Sequence, residues 1–260
     1  MKSLLAKLLP LLSLLLGTSA PGKAQKKVHV MVPLCDHEAQ TVISSSDKRC
    51  DGQSPTQNLY WGARYGIRSF FERNPSWSLI SSFPKDDTLL DRLLFQHDSS
   101  DTYMLAEAYD GRQMLPCLRD FFAYSNGRSL QIVKVGGKTL RFGRGANLIA
   151  FCGHKGLMDH GGADFSAQLQ PAAAEKDKEV VILACESKSY FRPYIEKSSA
   201  QGLLWTSGFM APEAYILEGV LDEWMVGASE RRIRESAAKA YNEYQDCGLS
   251  AAKRLFLCKE

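Results

Sequence analysis

The sequence predicts an α/β fold in which helices cover both faces of a mostly parallel central sheet, giving a three-layer sandwich. Two observations indicate this class. The segments 147–152, 179–184 and 202–206 are continuous apolar runs without polar alternation, which is typical of strands buried on both faces of a sheet. Helical patterns alternate with these strands along the chain, and such crossovers place successive strands parallel to one another.

Residues 1–24 precede this domain and have the pattern of a cleavable signal peptide. A positively charged start is followed by an apolar run over 8–16 and by small residues before Gln25, which is the order found in secretory signals. The run is shorter than the roughly 18 apolar residues of a membrane-spanning helix, and Pro10 interrupts it. We therefore predict a secreted or periplasmic protein whose mature part, 25–260, is a single domain without stable membrane insertion.

The charge of the predicted mature domain argues against one class of partner. The full chain has a net charge of +3, but the signal segment carries three lysines and no acidic residue, so the mature domain is neutral overall. Such a domain has no general excess of positive charge with which to bind phosphate groups. Nucleic acid is therefore not an expected partner, and no motif calls for a cofactor.

The first half of the chain begins with a strand over 27–34, which is rich in β-branched residues. Asn58 begins a predicted helix whose broad apolar face continues to Phe71, as expected for a helix packed on a sheet. Gly136-Gly137 between two alternating segments indicates a two-residue hairpin turn. The other predicted elements of this half are strands over 77–83 and 103–109, a helix over 112–124 and the hairpin over 130–142.

The last third adds helices to the three apolar strands. Proline is favoured in the first turn of a helix, so Pro212 is predicted to open one that runs to Val226. A charged amphipathic helix follows over 230–244, and a last short helix over 249–257.

Seven cysteines lie in the mature domain, and export permits disulfides, although an odd number leaves at least one thiol unpaired. Spacing does not fix the connectivity. Cys35 could pair with Cys50 to close the loop after the first strand, and Cys247 with Cys258 to hold the C-terminal tail. A bridge between Cys152 and Cys185 is a further alternative, in which both would be structural.

Polar or reactive residues follow five predicted strands at the point where each strand ends. Since parallel strands point the same way, their C-terminal ends share one edge of the sheet, and ligands of open parallel sheets bind just beyond that edge. The sequence therefore predicts a site at this edge. The residues concerned are Asp36, Asp110, His154, Cys185 and Ser207.

His154 and Cys185 provide the most specific chemistry of this set. A thiol becomes a nucleophile when a base takes its proton, and an imidazole within hydrogen-bond reach can do so. Adjacent strands lie roughly 4.8 Å apart, so a histidine after one strand and a cysteine after the next can meet. Backbone N–H groups of the turn at Gly153 and Gly156 are candidates for binding an oxyanion.

The other three residues are candidates for a substrate pocket. Asp36 and Asp110 could line a pocket for a basic side chain, with Ser207 beside it. Alternatively, the two aspartates merely cap the turn or helix that follows each of them.

The segments NLIAFCGHKG (147–156) and EVVILACES (179–187) resemble caspase-like cysteine peptidases, a group that includes legumain-, gingipain- and metacaspase-type enzymes. In that group an apolar strand ends in a His-Gly turn and a second apolar strand ends in Ala-Cys. The resemblance implies a caspase-like sandwich, a peptide or protein substrate, His154 as general base and Cys185 as nucleophile. Segments such as VPLCD (32–36) and MAPEAY (210–215) are also similar to motifs of exported bacterial proteins without an assigned activity.

One position departs from the family pattern. The family's histidine is followed directly by a glycine that helps to form the oxyanion hole, whereas here Lys155 stands between His154 and Gly156. The alternative is therefore an inactive relative that binds a ligand or a protein at the same edge.

A metal site is the competing hypothesis for the segment around His154. Thiol, imidazole and carboxylate groups that can bind zinc lie close together in sequence, but their spacing matches no closed zinc motif. No metal is predicted. The residues are Cys152, His154, Asp159, His160 and Asp164.

Overall fold

The computed structural model describes residues 25–41, 48–170 and 178–259, so the predicted signal peptide lies outside the described ranges. Within those ranges no helix is long and apolar enough to cross a membrane. The predicted fold class is confirmed: helices flank a large, mostly parallel sheet.

The described residues form ten strands and eight α-helices. The strands are β1 (Lys26–Pro33), β2 (Trp77–Ser82), β3 (Leu89–His97), β4 (Thr102–Tyr109), β5 (Leu130–Val135), β6 (Lys138–Gly143), β7 (Leu148–Cys152), β8 (Glu179–Leu183), β9 (Gln201–Thr206) and β10 (Phe256–Leu257). The helices are α1 (Ile67–Arg73), α2 (Met114–Ser125), α3 (Leu157–His160), α4 (Ser166–Leu169), α5 (Ser187–Ile195), α6 (Ala214–Met225), α7 (Glu230–Gln245) and α8 (Leu249–Leu255), with a 3₁₀ turn (Gly111–Gln113) before α2.

Eight strands form the central sheet in the order β10-β9-β8-β7-β1-β4-β3-β2. The adjacent strands β9, β8, β7, β1 and β4 pair in parallel, while β10 and β3 pair antiparallel with β9 and β4 at either side. The five parallel strands therefore end along one common edge, and this arrangement positions the candidate site.

Alternate side chains of the strands fill two apolar clusters, one on each face of the sheet. On β1, for example, Val30 and Val32 lie in the cluster that contains α6 and α7. Met31 faces the opposite cluster, which contains α2 and α5. This arrangement explains why the parallel strands are apolar at successive positions, since both faces are covered.

The hairpin is formed as predicted, but it is not at the margin of the central sheet. Strands β5 and β6 make a separate two-stranded sheet. Their inward side chains Val133, Leu140 and Phe142 pack on Leu94 and Tyr103 of the central sheet. The hairpin thus covers one face, because its apolar side chains find more burial there than at an edge.

The helix predicted from Asn58 is wrong over most of its length. Turns occupy the chain up to Gly66, and α1 begins only at Ile67. The Asn58 amide accepts the N–H of Cys35 at 3.1 Å and donates to the Cys35 carbonyl at 2.9 Å. A side chain that competes in this way for backbone groups favours a loop.

Strand β3 is a further difference, because the sequence pattern did not predict it.

A disulfide joins Cys35 and Cys50, so this predicted pair is confirmed. Cys247 and Cys258 are free thiols, as are Cys152 and Cys185, and neither of the other two pairings forms. One disulfide is compatible with an oxidising extracellular or periplasmic compartment.

Candidate functional site

The candidate dyad is set by the pairing of β7 with β8. These strands are parallel neighbours in which Cys152 lies opposite Leu183, and the N–H of Gly153 extends the ladder by donating to the Leu183 carbonyl at 3.0 Å. If this register continued for two residues past the paired strands, His154 would lie opposite Cys185. One position further on, the ammonium of Lys155 contacts the carboxylate of Glu186. The two strand ends therefore stay side by side beyond the sheet.

His154 is buried, with 8% of its surface exposed, and it contacts an acidic partner. Its Nε2 lies 2.9 Å from Oδ2 of Asp159, which α3 places one turn after the His154-Lys155-Gly156 segment. With the Nε2 proton donated to this carboxylate, Nδ1 keeps a free lone pair. Burial lowers the pKa of His154, and the neighbouring Asp159 opposes that shift without cancelling it. The imidazole is therefore neutral at pH 7, as a general base must be.

Asp159 is held in its ionised form by its own contacts. Burial alone would raise the pKa of its carboxyl, but the N–H of Thr41, at 3.3 Å from Oδ2, and the His154 ring hold that pKa below its usual range. An ionised carboxylate can fix the orientation and the tautomer of the histidine it contacts.

Cys185 is partly exposed at the end of β8. Its Sγ lies 3.4 Å from the backbone N–H of Met210 and 3.4 Å from the Met210 carbonyl. Within the described ranges the sulfur makes no hydrogen bond to His154. The following residue, Glu186, has a left-handed backbone with φ +50°. Such a conformation is uncommon for a residue with a side chain and occurs often at functional turns.

The two glycines proposed for the oxyanion turn already use their N–H groups. Gly153 donates to Leu183, as described above, and Gly156 donates to the His154 carbonyl at 2.8 Å. In the part of the chain that the structure describes, the backbone N–H groups of Lys155 and Cys185 have no acceptor. These two groups are therefore the better candidates for binding an oxyanion.

Gly156 is needed for a steric reason. A Cβ atom at this position would lie 2.2 Å from Sδ of Met114, a side chain that is buried and only 1% exposed. We expect Gly156→Ala to lower the free energy of unfolding by about 1–3 kcal/mol through overpacking. Urea unfolding of a chain of residues 25–260 measures this change. Gly162→Ala is the matched control, since no atom lies within 4 Å of its Cβ position, and equal stability of the two variants would contradict the argument.

Lys155, the residue that departs from the family pattern, is turned away from solvent. Its side chain is 8% exposed and pairs with Glu186. Its Nζ also lies 4.8 Å from the ring centre of Tyr190 and 5.3 Å from that of Phe209. Burial would lower the pKa of Lys155, but the Glu186 carboxylate outweighs it and raises that pKa.

The two aspartates lie at the ends of β1 and β4, where each caps a turn. Asp36 Oδ1 accepts the N–H groups of Glu38 and Ala39. Asp110 accepts the N–H of Arg112 at 2.8 Å and pairs with its guanidinium. One amide bridges the two carboxylates, since Gln53 Nε2 lies 2.7 Å from Asp36 and 3.1 Å from Asp110. Their oxygens are thus engaged by the chain's own groups.

Ser207, at the end of β9, is tied to the C-terminal segment. Its N–H donates to the carbonyl of Leu255 at 2.9 Å, and its hydroxyl to the carbonyl of Arg254 at 2.9 Å. These bonds fasten α8 and β10 against β9. Ser207 therefore lies at the C-terminal edge of the sheet, as predicted, and its hydrogen bonds there are structural.

Of the residues weighed as zinc ligands, His154 and Asp159 contact each other. Among the described residues, no group of three or more His, Cys, Asp or Glu side chains is placed to hold a metal ion. Sequence reasoning considered Asp159 only as a ligand and missed its contact with His154. The spacing of five residues between His154 and Asp159 was the available signal for this contact, but the contact also requires the short helix α3.

Comparison of the sequence with protein-family models, with curated proteins and with solved structures found no match.

Proposed function

We propose that this protein is an exported cysteine hydrolase that cleaves peptide or amide bonds at the C-terminal edge of its sheet. The observation that carries this proposal is the parallel pairing of β7 with β8, in which the strand ends that precede His154 and Cys185 lie side by side. The Lys155–Glu186 contact one residue further supports it. The neutral imidazole and its Asp159 partner supply the base that such a thiol needs.

The reaction would proceed in two balanced halves. Nδ1 of His154 accepts the proton of the Cys185 thiol, and the thiolate attacks the carbonyl carbon, forming a C–S bond while its oxygen takes negative charge. The imidazolium then protonates the leaving amine as the C–N bond breaks, leaving a thioester. Water, deprotonated by His154, attacks the thioester, releases the acid and returns the proton to the thiol.

Each neighbouring group has a role in this sequence. The N–H groups of Cys185 and Lys155 would stabilise the oxyanion, and Asp159 would stabilise the imidazolium. The sulfur must leave the Met210 backbone to reach His154. Catalytic hydrogen bonds are often long or poorly aligned without substrate and tighten in the complex, so this movement is compatible with the proposal.

Thiol reactivity tests the proposal directly. We expect iodoacetamide to alkylate Cys185 faster than the exposed Cys247 at pH 6.5. The reason is that a neighbouring base can take the proton of a thiol and so generate the thiolate, which is the form that reacts. Peptide mass spectrometry of the same labelled sample gives both rates, so Cys247 is an internal control.

His154→Ala should slow alkylation of Cys185 and leave that of Cys247 unchanged. If Cys185 instead labels more slowly than Cys247, with the pH dependence of an ordinary thiol, the hydrolase proposal fails.

Binding of a ligand without catalysis is the second candidate function, and two observations favour it. Met210 occupies the hydrogen-bonding capacity of the Cys185 sulfur, and Lys155 stands where the caspase-like pattern has glycine. In that case the edge would hold a ligand or protein while Cys185 behaves as an ordinary thiol. The alkylation experiment separates the two candidates.

A further inference from the structure

The β5–β6 hairpin has an outer face that the proposed hydrolase site does not use. Its inward side chains pack on the sheet, and side chains alternate between the two faces of a strand. The outward positions are therefore Ile132 and Lys134 on β5, and Thr139 and Arg141 on β6. All four are exposed.

Positive charge is concentrated on this hairpin although the mature domain is neutral overall. Residues 121–158 contain no aspartate or glutamate. The five basic side chains in and beside the hairpin are all exposed, and the sixth in this segment, Lys155, is paired inside the domain. The exposed residues are Arg128, Lys134, Lys138, Arg141 and Arg144. We name them the basic hairpin face.

The tip of the hairpin projects freely. Gly136 and Gly137 have φ of +52° and +76°, which suits a two-residue turn with a left-handed backbone, and no atom lies within 4 Å of either Cβ position. A tip without side chains lets the outward Lys134 approach a flat surface, whereas Lys138 pairs with Val135 on the inward side of the hairpin. Lys138 also donates to the Tyr103 hydroxyl at 2.7 Å, which raises the pKa of Lys138 and keeps it charged.

An apolar side chain lies among these charges. Ile132 is 49% exposed and pairs across the hairpin with Arg141. Lysine and arginine beside an exposed aliphatic group suit the boundary between anionic headgroups and acyl chains. The outward positions carry no aromatic ring on which a nucleotide base could stack, so single-stranded nucleic acid is a poorer fit.

We propose that the basic hairpin face binds peripherally to the surface of a bilayer containing anionic phospholipids. The cations attract the headgroups, and Ile132 enters the interface without spanning the membrane. This binding would hold the domain at a membrane surface independently of any activity at Cys185.

Sedimentation with vesicles tests this proposal on the mature chain. We expect binding to phosphatidylcholine vesicles that contain phosphatidylglycerol, little binding to pure phosphatidylcholine, and weakening as salt screens the charges. The double variant Lys134→Glu/Arg141→Glu should reduce the apparent affinity by at least about tenfold. Ile132→Ser should weaken binding while the salt dependence persists.

Lys239→Glu/Lys259→Glu is the matched control, because it reverses two exposed charges outside the hairpin, one on α7 and one after β10. It should bind as the unchanged protein does. Equal loss in this control, equal binding to neutral vesicles, or no binding by the unchanged protein would overturn the proposal. So would binding to an oligonucleotide without binding to anionic vesicles.

Discussion

Cys185→Ala is expected to reduce peptide-amide hydrolysis by at least about 10³-fold, because removal of a nucleophile leaves only residual catalysis. A mixed set of fluorogenic peptide amides, incubated with residues 25–260, provides the assay. The variant should fold normally, since the side chain is partly exposed and its truncation opens little cavity. Cys247→Ala, which removes an exposed thiol, should keep full activity.

The partners of Cys185 give this prediction a second readout. Asp159→Asn should lower the rate by up to about 10⁴-fold, as expected when the group that orients the base is lost. It should also move the acid limb of the pH–rate profile downward, because the Asp159 carboxylate raises the pKa of His154. In the unchanged protein, burial holds that pKa below the ordinary value of about 6.5, so hydrolysis by the proposed mechanism should persist below this pH.

Asp164→Asn is the matched control for that variant, since this exposed aspartate accepts the N–H of Ser166 and lies outside the His154 pair. Hydrolysis that survives Cys185→Ala at the original rate would exclude this residue as nucleophile. Absence of hydrolysis by the unchanged protein, together with ordinary alkylation of Cys185, would leave the binding function.

Glu107→Ala is expected to lower the free energy of unfolding by about 3–5 kcal/mol, because it leaves a largely buried Arg92 without its counter-ion. Glu107 is fully buried on β4. Its Oε2 lies 2.8 Å from Nε2 of His29, and its Oε1 lies 2.8 Å from Nε of Arg92. The latter contact is an ion pair that is not aligned as a hydrogen bond.

The histidine in this cluster also ties the hairpin to the sheet. Nδ1 of His29 accepts the N–H of Gly143 at 3.1 Å, so Nε2 carries the proton that is donated to Glu107. Loss of Glu107 would therefore disturb three strands together, β1, β3 and β6. Urea unfolding measures the effect. Glu235→Ala is the control, because its surface pair with Arg231 should contribute only about 0.5 kcal/mol.

The same carboxylate predicts a dependence of stability on pH. Burial alone would raise the pKa of Glu107, but His29 and Arg92 outweigh it and hold that pKa below its ordinary value. The stabilisation is therefore fully present above about pH 4.3, the ordinary glutamate value, and is lost as the pH falls toward the folded-state pKa. Glu107→Gln should lack this loss. A Glu107→Ala variant within about 1 kcal/mol of the unchanged protein would contradict the argument.

The sequence by itself determined the fold class and most of the elements. Continuous apolar runs identified β7, β8 and β9, because burial on both faces leaves no room for polar alternation. Pro212 identified the start of α6, because proline is favoured in the first turn of a helix, and the amphipathic pattern over 230–244 identified α7. The ends of these strands also named His154 and Cys185 as candidates, because a parallel sheet collects its C-terminal ends at one edge.

Only the tertiary structure decided how these parts pair. The Asn58 amide binds the backbone of Cys35 across 23 residues, a distant contact that turned a predicted helix into a loop. The contacts of His154 with Asp159 and of Lys155 with Glu186 could not be predicted from the sequence either, because they depend on the geometry of turns and on strand register. Net charge likewise gave no sign of the basic hairpin face, because a sum over residues carries no information about where the charges lie in space.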